Sequence, residues 1–442
     1  MAEFGHSSAQ VPQSVQSVAL TTAISSTLIA PLGQASSHRP QPTQSSLFTL
    51  ATIGITSLGP EKKGHINLFL CFSDAILKYS GVHVCRMRYA SGKVLTPEGF
   101  IEGHVGFEDG IVLEVGKGKK TGSVARGIIT PTLVNAHTHI ADYIVPADLS
   151  LSLQELVAPP DGLKHRMLNK ASEESLRKAM LKMTGLMRHR GISRFIDFRE
   201  GGQAGSRLLS SLEGKPLAYI FGRPSKIEFE REELDLVLEV ADGIGLSSIS
   251  DWEYGALEEL AKYVRSKKRR FAIHVSERVR EDMDKVLDLK PSFVVHMTLA
   301  TRGDIEACAQ AKVPIVVCPR SNLFFGKVPP LADMLASGVT IALGTDNAML
   351  NLPDMLTEME FAGRILRLQG VKDVTPVIEM AIANGRKLLK EKAAIGIEPG
   401  APCDFMVTRS NEGDPATDLV LRSSSMDPVM VCMGREAWRG QI

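Results

Sequence analysis

The chain has few cysteines, and none of them forms a redox or metal-binding pair. Its six cysteines are spread over 442 residues, and no two of them make a C-x-x-C motif. Such a low density is not typical of a disulfide framework. We therefore expect reduced thiols, rather than disulfides or a thiolate metal site, at Cys71, Cys85, Cys308, Cys318, Cys403 and Cys432.

The chain also lacks a long apolar run and an excess of either charge. The longest apolar segment, residues 47–58, is interrupted by Thr, Gly and Ser, and it is shorter than the roughly 18 residues that span a bilayer. The 51 Lys and Arg residues almost balance the 50 Asp and Glu residues. No global charge favours nucleic acid or an anionic membrane as a partner. We expect a cytoplasmic protein that binds neither of them, and a homo-oligomer remains open.

Residues 1–86 differ in composition from the rest of the chain. The first 46 residues are rich in Ser, Gln, Ala, Thr and Pro, and they contain one acidic residue, Glu3. This composition cannot bury enough apolar surface to offset the entropy of the chain. No basic segment precedes an apolar one, as it would in a secretory signal. We expect residues 1–86 to be disordered, or to be an extension outside the working protein.

Short strands at both ends of the remaining sequence predict one small β-domain. Asp109-Gly110 lies between two short apolar segments, which indicates a tight hairpin. Near the other end, residues 404–408 and 429–433 have the same character, and Gly434 follows as a turn residue. We expect residues 87–127 and 395–442 to form this domain together.

Between these ends, in residues 128–394, strand-like segments alternate with helical ones such as 278–287. Eight strands, each followed by a helical or loop segment, predict an α/β fold of the (β/α)₈ TIM-barrel type. A doubly wound open sheet is the alternative, because periodicity alone does not exclude it. The candidate strands are 129–136, 193–198, 217–221, 243–249, 271–274, 292–296, 313–318 and 340–345.

Polar residues follow apolar segments at the ends of four of these strands. The first strand ends in Asn135-Ala136-His137-Thr138-His139, where two histidines at i and i+2 point to the same side. His274 ends the fifth strand, His296 the sixth and Asp346 the eighth. A lone histidine here is more often a core or rim residue. Because active sites of such barrels lie at the carboxyl ends of the strands, four such ends favour a metal site.

With these motifs the chain resembles the amidohydrolase superfamily. Within that superfamily it is similar to the branch that holds cytosine and guanine deaminases and triazine hydrolases. The resemblance covers about residues 88–442. The segments that carry it are 135–139, 274–277, His296, 318–322, 344–346 and the tail 396–404.

The resemblance implies a role for each of these residues. His137, His139, His274 and Asp346 would bind one divalent metal ion, with Zn²⁺ favoured and Fe²⁺ as the alternative. Asp346 would also accept a proton from the attacking water, and His296 would hold that water or polarise the substrate. Glu277 would carry a proton to a ring nitrogen. The plainer interpretation of Glu277 is a solvated residue that begins the next helix.

A second metal ion is not expected. Binuclear relatives use a carbamylated lysine at the end of the fourth strand, and residues 243–249 contain no lysine. Lys226, which follows the third strand, is a weaker candidate for that position.

The substrate is less clear from the sequence. Residues that follow the second, third and seventh strands would face the mouth of the barrel, where arginine can pair with a carboxylate or a purine-like edge. Ordinary salt bridges at the rim are the alternative. These residues are Arg199, Glu200, Arg223, Arg320 and Asn322.

We therefore expect a mononuclear metal-dependent aminohydrolase, a deaminase that breaks a C–N bond of a small nitrogen heterocycle with metal-activated water. The alternative is a cyclic-amide or amide hydrolase, such as an imidazolone-type ring opener, and release of ammonia discriminates the two. A non-catalytic scaffold is the third hypothesis. Relatives of that kind typically lose metal ligands, whereas this chain has the complete set.

Overall fold

The computed structural model describes residues 87–440, so our expectation for residues 1–86 falls outside the described residues. These residues form a seven-stranded sheet and a nine-stranded sheet. Among residues 87–440, no helix combines the length and the apolar character that crossing a bilayer requires.

The nine-stranded sheet consists of parallel strands that follow one another in chain order. Its strands are β5 (Leu133–His139), β6 (Ile192–Arg199), β7 (Leu217–Gly222), β8 (Gly243–Leu246), β9 (Arg270–Val275), β10 (Phe293–His296), β11 (Ile315–Val317), β12 (Ile341–Leu343) and β13 (Asp346–Asn347). β13 continues the path of β12 and pairs in parallel with β5. The sheet thereby closes on itself, which confirms the predicted TIM-type barrel and excludes the open sheet.

Helices surround the barrel, and their apolar faces pack on its outer surface. In the helix Glu173–His189, Ser172 accepts a hydrogen bond from the Ser175 amide at the N-terminus, and Met180, Met183 and Met187 are buried on one face. This spacing places the three methionines on a single apolar stripe. The helices are α1 (Leu153–Val157), α2 (Leu163–Lys170), α3 (Glu173–His189), α4 (Gly202–Ser210), α5 (Arg231–Leu238), α6 (Tyr254–Ser266), α7 (Met283–Asp288), α8 (Arg302–Gln310), α9 (Pro319–Phe324), α10 (Leu331–Ser337), α11 (Met355–Leu368), α12 (Thr375–Glu379), α13 (Gly385–Leu388) and α14 (Pro415–Arg422).

The seven-stranded sheet is built from both ends of the described chain. Its strands are β1 (Arg88–Thr96), β2 (Gly99–Glu108), β3 (Ile111–Lys117), β4 (Ala125–Pro131), β14 (Phe405–Thr408), β15 (Met430–Met433) and β16 (Glu436–Arg439). β14 pairs antiparallel with β4, which joins the two ends and confirms the composite β-domain. Asp109 (φ 45°) and Gly110 (φ 82°) form the turn between β2 and β3, as expected for a hairpin turn of type I′.

Two elements differ from the sequence prediction. The predicted strand 129–136 belongs to two strands, because β4 ends at Pro131 and β5 begins at Leu133. Residues on both sides of this break are fully buried, so the apolar run hides the change from one sheet to the other. The helix predicted to begin at residue 278 begins at Met283, where the Asp282 side chain accepts from the Asp284 amide. Glu277 therefore lies in a loop.

Candidate metal centre

Four histidines and one aspartate converge at the carboxyl end of the barrel. His137 and His139 end β5, His274 lies in β9, His296 ends β10 and Asp346 begins β13. All five side chains are buried. Beneath them the Phe198 ring packs edge-on against the His137 ring, with 4.5 Å between the ring centroids. The structure thus brings together the five residues that the sequence placed at strand ends.

The donor atoms are spaced as an ion with short N and O bonds requires. His137 Nε2 lies 3.2 Å from His274 Nε2 and 3.4 Å from Asp346 Oδ1. His139 Nε2 lies 3.7 Å from the same oxygen. Bonds of roughly 2.0–2.2 Å at tetrahedral angles would separate ligand atoms by roughly 3.3–3.6 Å. His137 joins two groups of donors, one with His139 and Asp346 and one with His274 and His296.

Hydrogen bonds on the other ring nitrogens determine which histidines offer a lone pair at Nε2. His274 Nδ1 donates to the Leu246 carbonyl over 2.6 Å, and His139 Nδ1 donates to Glu200 Oε1 over 2.9 Å. Both rings therefore have a free Nε2 lone pair. His296 differs, because the Asn322 amide donates to its Nδ1 over 3.2 Å. Its Nε2 then carries the proton, which makes His296 a hydrogen-bond donor rather than a ligand.

The charge states of these groups suit a cation. Burial lowers the pKa of His137, and burial with the nearby Lys164 lowers the pKa of His139 to about 3. Burial raises the pKa of Asp346, but its contacts with His137, His296 and His139 hold that pKa well below its ordinary value. Neutral imidazoles and an ionised carboxylate are the forms that bind a divalent metal.

The backbone around Asp346 is constrained on both sides. The second oxygen of Asp346, Oδ2, accepts from Ser321 Oγ over 2.5 Å, so Oδ1 is left facing the histidines. Two residues earlier, a Cβ on Gly344 would lie 2.7 Å from the Cβ of His137 and 2.8 Å from its amide nitrogen. Only glycine fits this approach. Asp346 and His296 themselves have positive φ, 60° and 78°, a strained conformation that clusters at functional sites.

Glu277 lies on the same side of the site as His296. Its Oε1 is 3.6 Å from His296 Nε2, and it forms a group of possible ligands with His296 and Asp346. Burial raises the pKa of the Glu277 carboxyl. Its loop is held by the buried Glu281 carboxylate, which accepts from the Ser276 amide over 3.1 Å. A carboxyl group in this position can act as a general acid or base.

A buried charge cluster surrounds the outer nitrogen of His139. Lys164 Nζ lies 2.6 Å from Glu200 Oε1, 2.9 Å from Asp142 Oδ2 and 3.2 Å from His139 Nδ1. Lys164 belongs to α2, in the long segment after β5 where the sequence shows no strand-end signal. Carboxylates that orient metal-binding histidines commonly fix the ring and raise its affinity. Glu200 has this geometry towards His139.

The other residues proposed from the sequence are divided by the structure. Asn322 contacts His296, while Arg199 and Arg223 join the cluster around Glu200, where Arg199 Nη2 donates over 3.0 Å. Arg320 instead forms an ion pair with the buried Glu358. Lys226 is 60% exposed and pairs with Glu230.

Two cavities open at this end of the barrel. The smaller one has a volume of about 60 Å³, and Glu277, Lys164 and residues of α1 contribute to its lining. Of the converging donors, those that line it are His139, His274, His296 and Asp346. The larger one has a volume of about 680 Å³ and lies beside it. Pro159, Arg223 and Ser247 line both cavities.

A closed parallel barrel with histidines and an aspartate at its carboxyl end is the architecture of metal-dependent hydrolases of the TIM-barrel type. The chain belongs to the amidohydrolase family, whose model matches residues 128–435.

Relatives by sequence include proteins with and without an assigned activity. An uncharacterised protein of Methanocaldococcus jannaschii is 36% identical over 287 residues, which cover 60% of this chain and 74% of the relative. A protein of Archaeoglobus fulgidus named an aminohydrolase is 37% identical over 282 residues, 63% of this chain and 80% of the relative. A 5-methylthioadenosine/S-adenosylhomocysteine deaminase of Moorella thermoacetica is 33% identical over 161 residues, 33% of this chain and 37% of the relative.

Solved structures share the fold at low sequence identity. An adenosine deaminase from Xanthomonas campestris with bound zinc has a TM-score of 0.66 and 16% identity, and the match covers 80% of this chain and 93% of that chain. An atrazine chlorohydrolase from Arthrobacter aurescens complexed with zinc has a TM-score of 0.64 and 15% identity, over 80% and 95% of the two chains. At these identities the likeness concerns the fold.

Proposed function

We propose that the protein is a mononuclear aminohydrolase that removes an amino group from a nitrogen heterocycle, in the branch of the deaminases and triazine hydrolases. His137, His139, His274 and Asp346 would hold one divalent ion, with Zn²⁺ favoured over Fe²⁺. When bound, such an ion lowers the pKa of a coordinated water to about 7 and so supplies a nucleophile at neutral pH. The names of the aminohydrolase and deaminase relatives support this assignment.

The observation that carries the proposal is the placement of Glu277 beside His296, in a cavity that His139, His274 and Asp346 also line. Loss of an amino group from an aromatic ring requires a proton on the ring nitrogen and on the departing amine. Asp346 would accept a proton from the attacking water. Glu277, whose pKa is raised by burial, would deliver a proton to the heterocycle. His296, as a donor at Nε2, would hold the oxygen that attacks.

Metal analysis followed by an ammonia-release screen tests the proposal. Purified protein should contain about one equivalent of metal and should release ammonia from a member of a panel of purines, pyrimidines, pterins, triazines and nucleosides. His274→Ala, which removes a proposed ligand, should lose both metal and activity. Ring opening of a cyclic amide without ammonia would instead establish the amide hydrolase. Absence of metal from a folded protein would overturn both.

A further inference from the structure

The two cavities differ in the size of the molecule that each can accept. Binding sites for small molecules commonly measure about 300–1,000 Å³. The cavity at the donor set measures about 60 Å³, whereas its neighbour measures about 680 Å³. The neighbour therefore has the volume of a substrate site, and the donor set has room only for the reacting end. Arg223, with Pro159 and Ser247, stands where the two meet.

We propose that the larger cavity binds the non-reacting part of the substrate, an apolar substituent with an oxyanion that pairs with Arg223. The oxyanion would be a carboxylate or a phosphate, because both match the planar fork of a guanidinium. This inference rests on the proposed function for the reaction at the metal end. It adds that the substrate is an extended molecule with an amphipathic substituent rather than a single ring.

Arg223 is the least satisfied cation of the buried cluster. It is 9% exposed, and within residues 87–440 its guanidinium makes one polar contact, from Nη1 to Glu200 Oε1 at 3.4 Å. The same oxygen is already bound more closely by Lys164 at 2.6 Å and by His139 at 2.9 Å. Most of the five donors of Arg223 are therefore free. Arg223 lines both cavities, so these free donors can pair with a ligand acceptor that enters either of them.

The neighbouring Arg199, by contrast, uses its guanidinium for hydrogen bonds within the protein. It is 3% exposed, and it donates to the carbonyl and to the carboxylate of Glu200. Asp197 lies behind it, 3.5 Å from Nη1. Arg199 is therefore paired within the protein, whereas Arg223 has donors available to a ligand.

The remaining wall of the large cavity is mostly apolar. Its one aromatic wall residue, Trp252, is fixed by a hydrogen bond from Nε1 to Ser247 Oγ at 3.2 Å. His165 is engaged by the Val157 carbonyl at 3.1 Å. The acids Glu173 and Glu228 and the cation Lys226 are exposed and stand at the rim. An apolar substituent would lie against Leu168, Leu176, Met180, Leu208, Leu246 and Trp252.

The test uses ligands of this shape that need no knowledge of the reacting ring. The probe is 8-anilinonaphthalene-1-sulfonate, which joins an apolar aromatic body to an oxyanion, and its neutral counterpart is N-phenyl-1-naphthylamine. The chain has two tryptophans. The full-length, metal-loaded protein therefore carries Trp438→Phe, so that energy transfer to the probe reports on Trp252. Displacement by 2-naphthoate or by 2-naphthyl phosphate then distinguishes a carboxylate site from a phosphate site.

We expect one bound sulfonate probe per chain with energy transfer from Trp252. Arg223→Met should weaken it by roughly 10- to 100-fold and leave the neutral probe within about twofold, because only a charged hydrogen bond is lost. The affinity of Arg223→Lys for the sulfonate probe should lie between those of wild type and Arg223→Met. Lys226→Met, a cation at the rim of the same cavity, should behave as wild type, and Leu208→Trp should exclude both probes.

Absence of probe binding would overturn the proposal. Equal affinity of the sulfonate probe in wild type and in a folded Arg223→Met would also overturn it. If Arg223→Met did not fold, Arg223→Lys binding both probes as wild type would have the same meaning. These results are independent of catalysis. A failed ammonia screen together with Arg223-dependent probe binding would therefore contradict the proposed function but support the assignment of the larger cavity.

Discussion

Replacing Glu200 by glutamine should weaken metal binding and destabilise the fold at the same time. The carboxylate receives His139 Nδ1 at 2.9 Å and Lys164 Nζ at 2.6 Å on one oxygen, and Arg199 Nη2 at 3.0 Å on the other. Glutamine keeps a carbonyl oxygen for His139 and Lys164. Its amide group then faces Arg199, so that a donor meets a donor and the buried cations lose their shared negative charge.

The magnitude follows from these contacts. Removing one partner of a buried ion pair costs about 3–5 kcal/mol of stability. Loss of a carboxylate that orients a metal-binding histidine lowers metal affinity by about 10- to 100-fold. Because glutamine still accepts a hydrogen bond from His139, we expect metal affinity to fall by about 10-fold, the lower end of its range. The free energy of unfolding should fall by about 3–5 kcal/mol.

Two measurements separate these effects. Denaturant unfolding of the metal-free protein gives the change in stability, and competition with a chromophoric chelator gives the metal affinity. Glu239→Gln is the matched control, because its pair with Arg207 is more than half exposed on both sides and should contribute less than about 1 kcal/mol. If Glu200→Gln matched Glu239→Gln in both assays, the positioning role of Glu200 would be refuted.

Three further predictions concern other parts of the site. Glu277→Gln should lower kcat by about 10²–10⁴-fold with metal retained, whereas His274→Ala should lose metal as well. Near-full activity of Glu277→Gln would show that Glu277 carries no proton in the reaction. Burial lowers the pKa of His165 to about 4, so the unfolded chain binds the extra proton and stability is lost as pH falls from about 6.5 towards 4. His165→Asn should remove roughly 2 kcal/mol of this loss between pH 7 and pH 4.5 in denaturant titrations, and parallel pH profiles of the two proteins would contradict it. Gly344→Ala should reduce metal content and stability together, because the added Cβ would collide with His137. In the control Gly185→Ala, where the Cβ enters open space on α3, the free energy of unfolding should instead rise by up to about 1 kcal/mol.

The sequence sufficed for the residues that end strands. His137, His139, His274, His296 and Asp346 each follow an apolar run, and the geometry of a parallel barrel brings such positions to one end. The alternation of strands and helices likewise predicted the barrel. The break between β4 and β5 was missed, because the residues on both sides of Thr132 are buried and form one continuous apolar run.

The sequence did not suffice for the charge cluster behind His139. Lys164 and Asp142 lie in the segment after β5, and a lysine on a short helix carries no sign that it will be buried. Glu200 and Arg223 were recognised as residues of the mouth, with ordinary rim salt bridges as the alternative. Their burial depends on how α1 and α2 fold over the barrel, and no local pattern specifies that packing.

The closure of the barrel has a consequence for when the site comes into existence during synthesis. Asn135 holds the seam: its side chain accepts from the Thr345 amide and donates to the Thr345 hydroxyl, across 210 positions of sequence. Asp346 and Asn347 pair directly with the end of β5. A contact between residues so far apart in the chain forms late, so a nascent chain on the ribosome carries His137 and His139 long before their aspartate emerges. Premature capture of metal by the two early histidines would involve an incomplete set of ligands. The set of proposed ligands is therefore complete only once β13 has been made and has paired with β5.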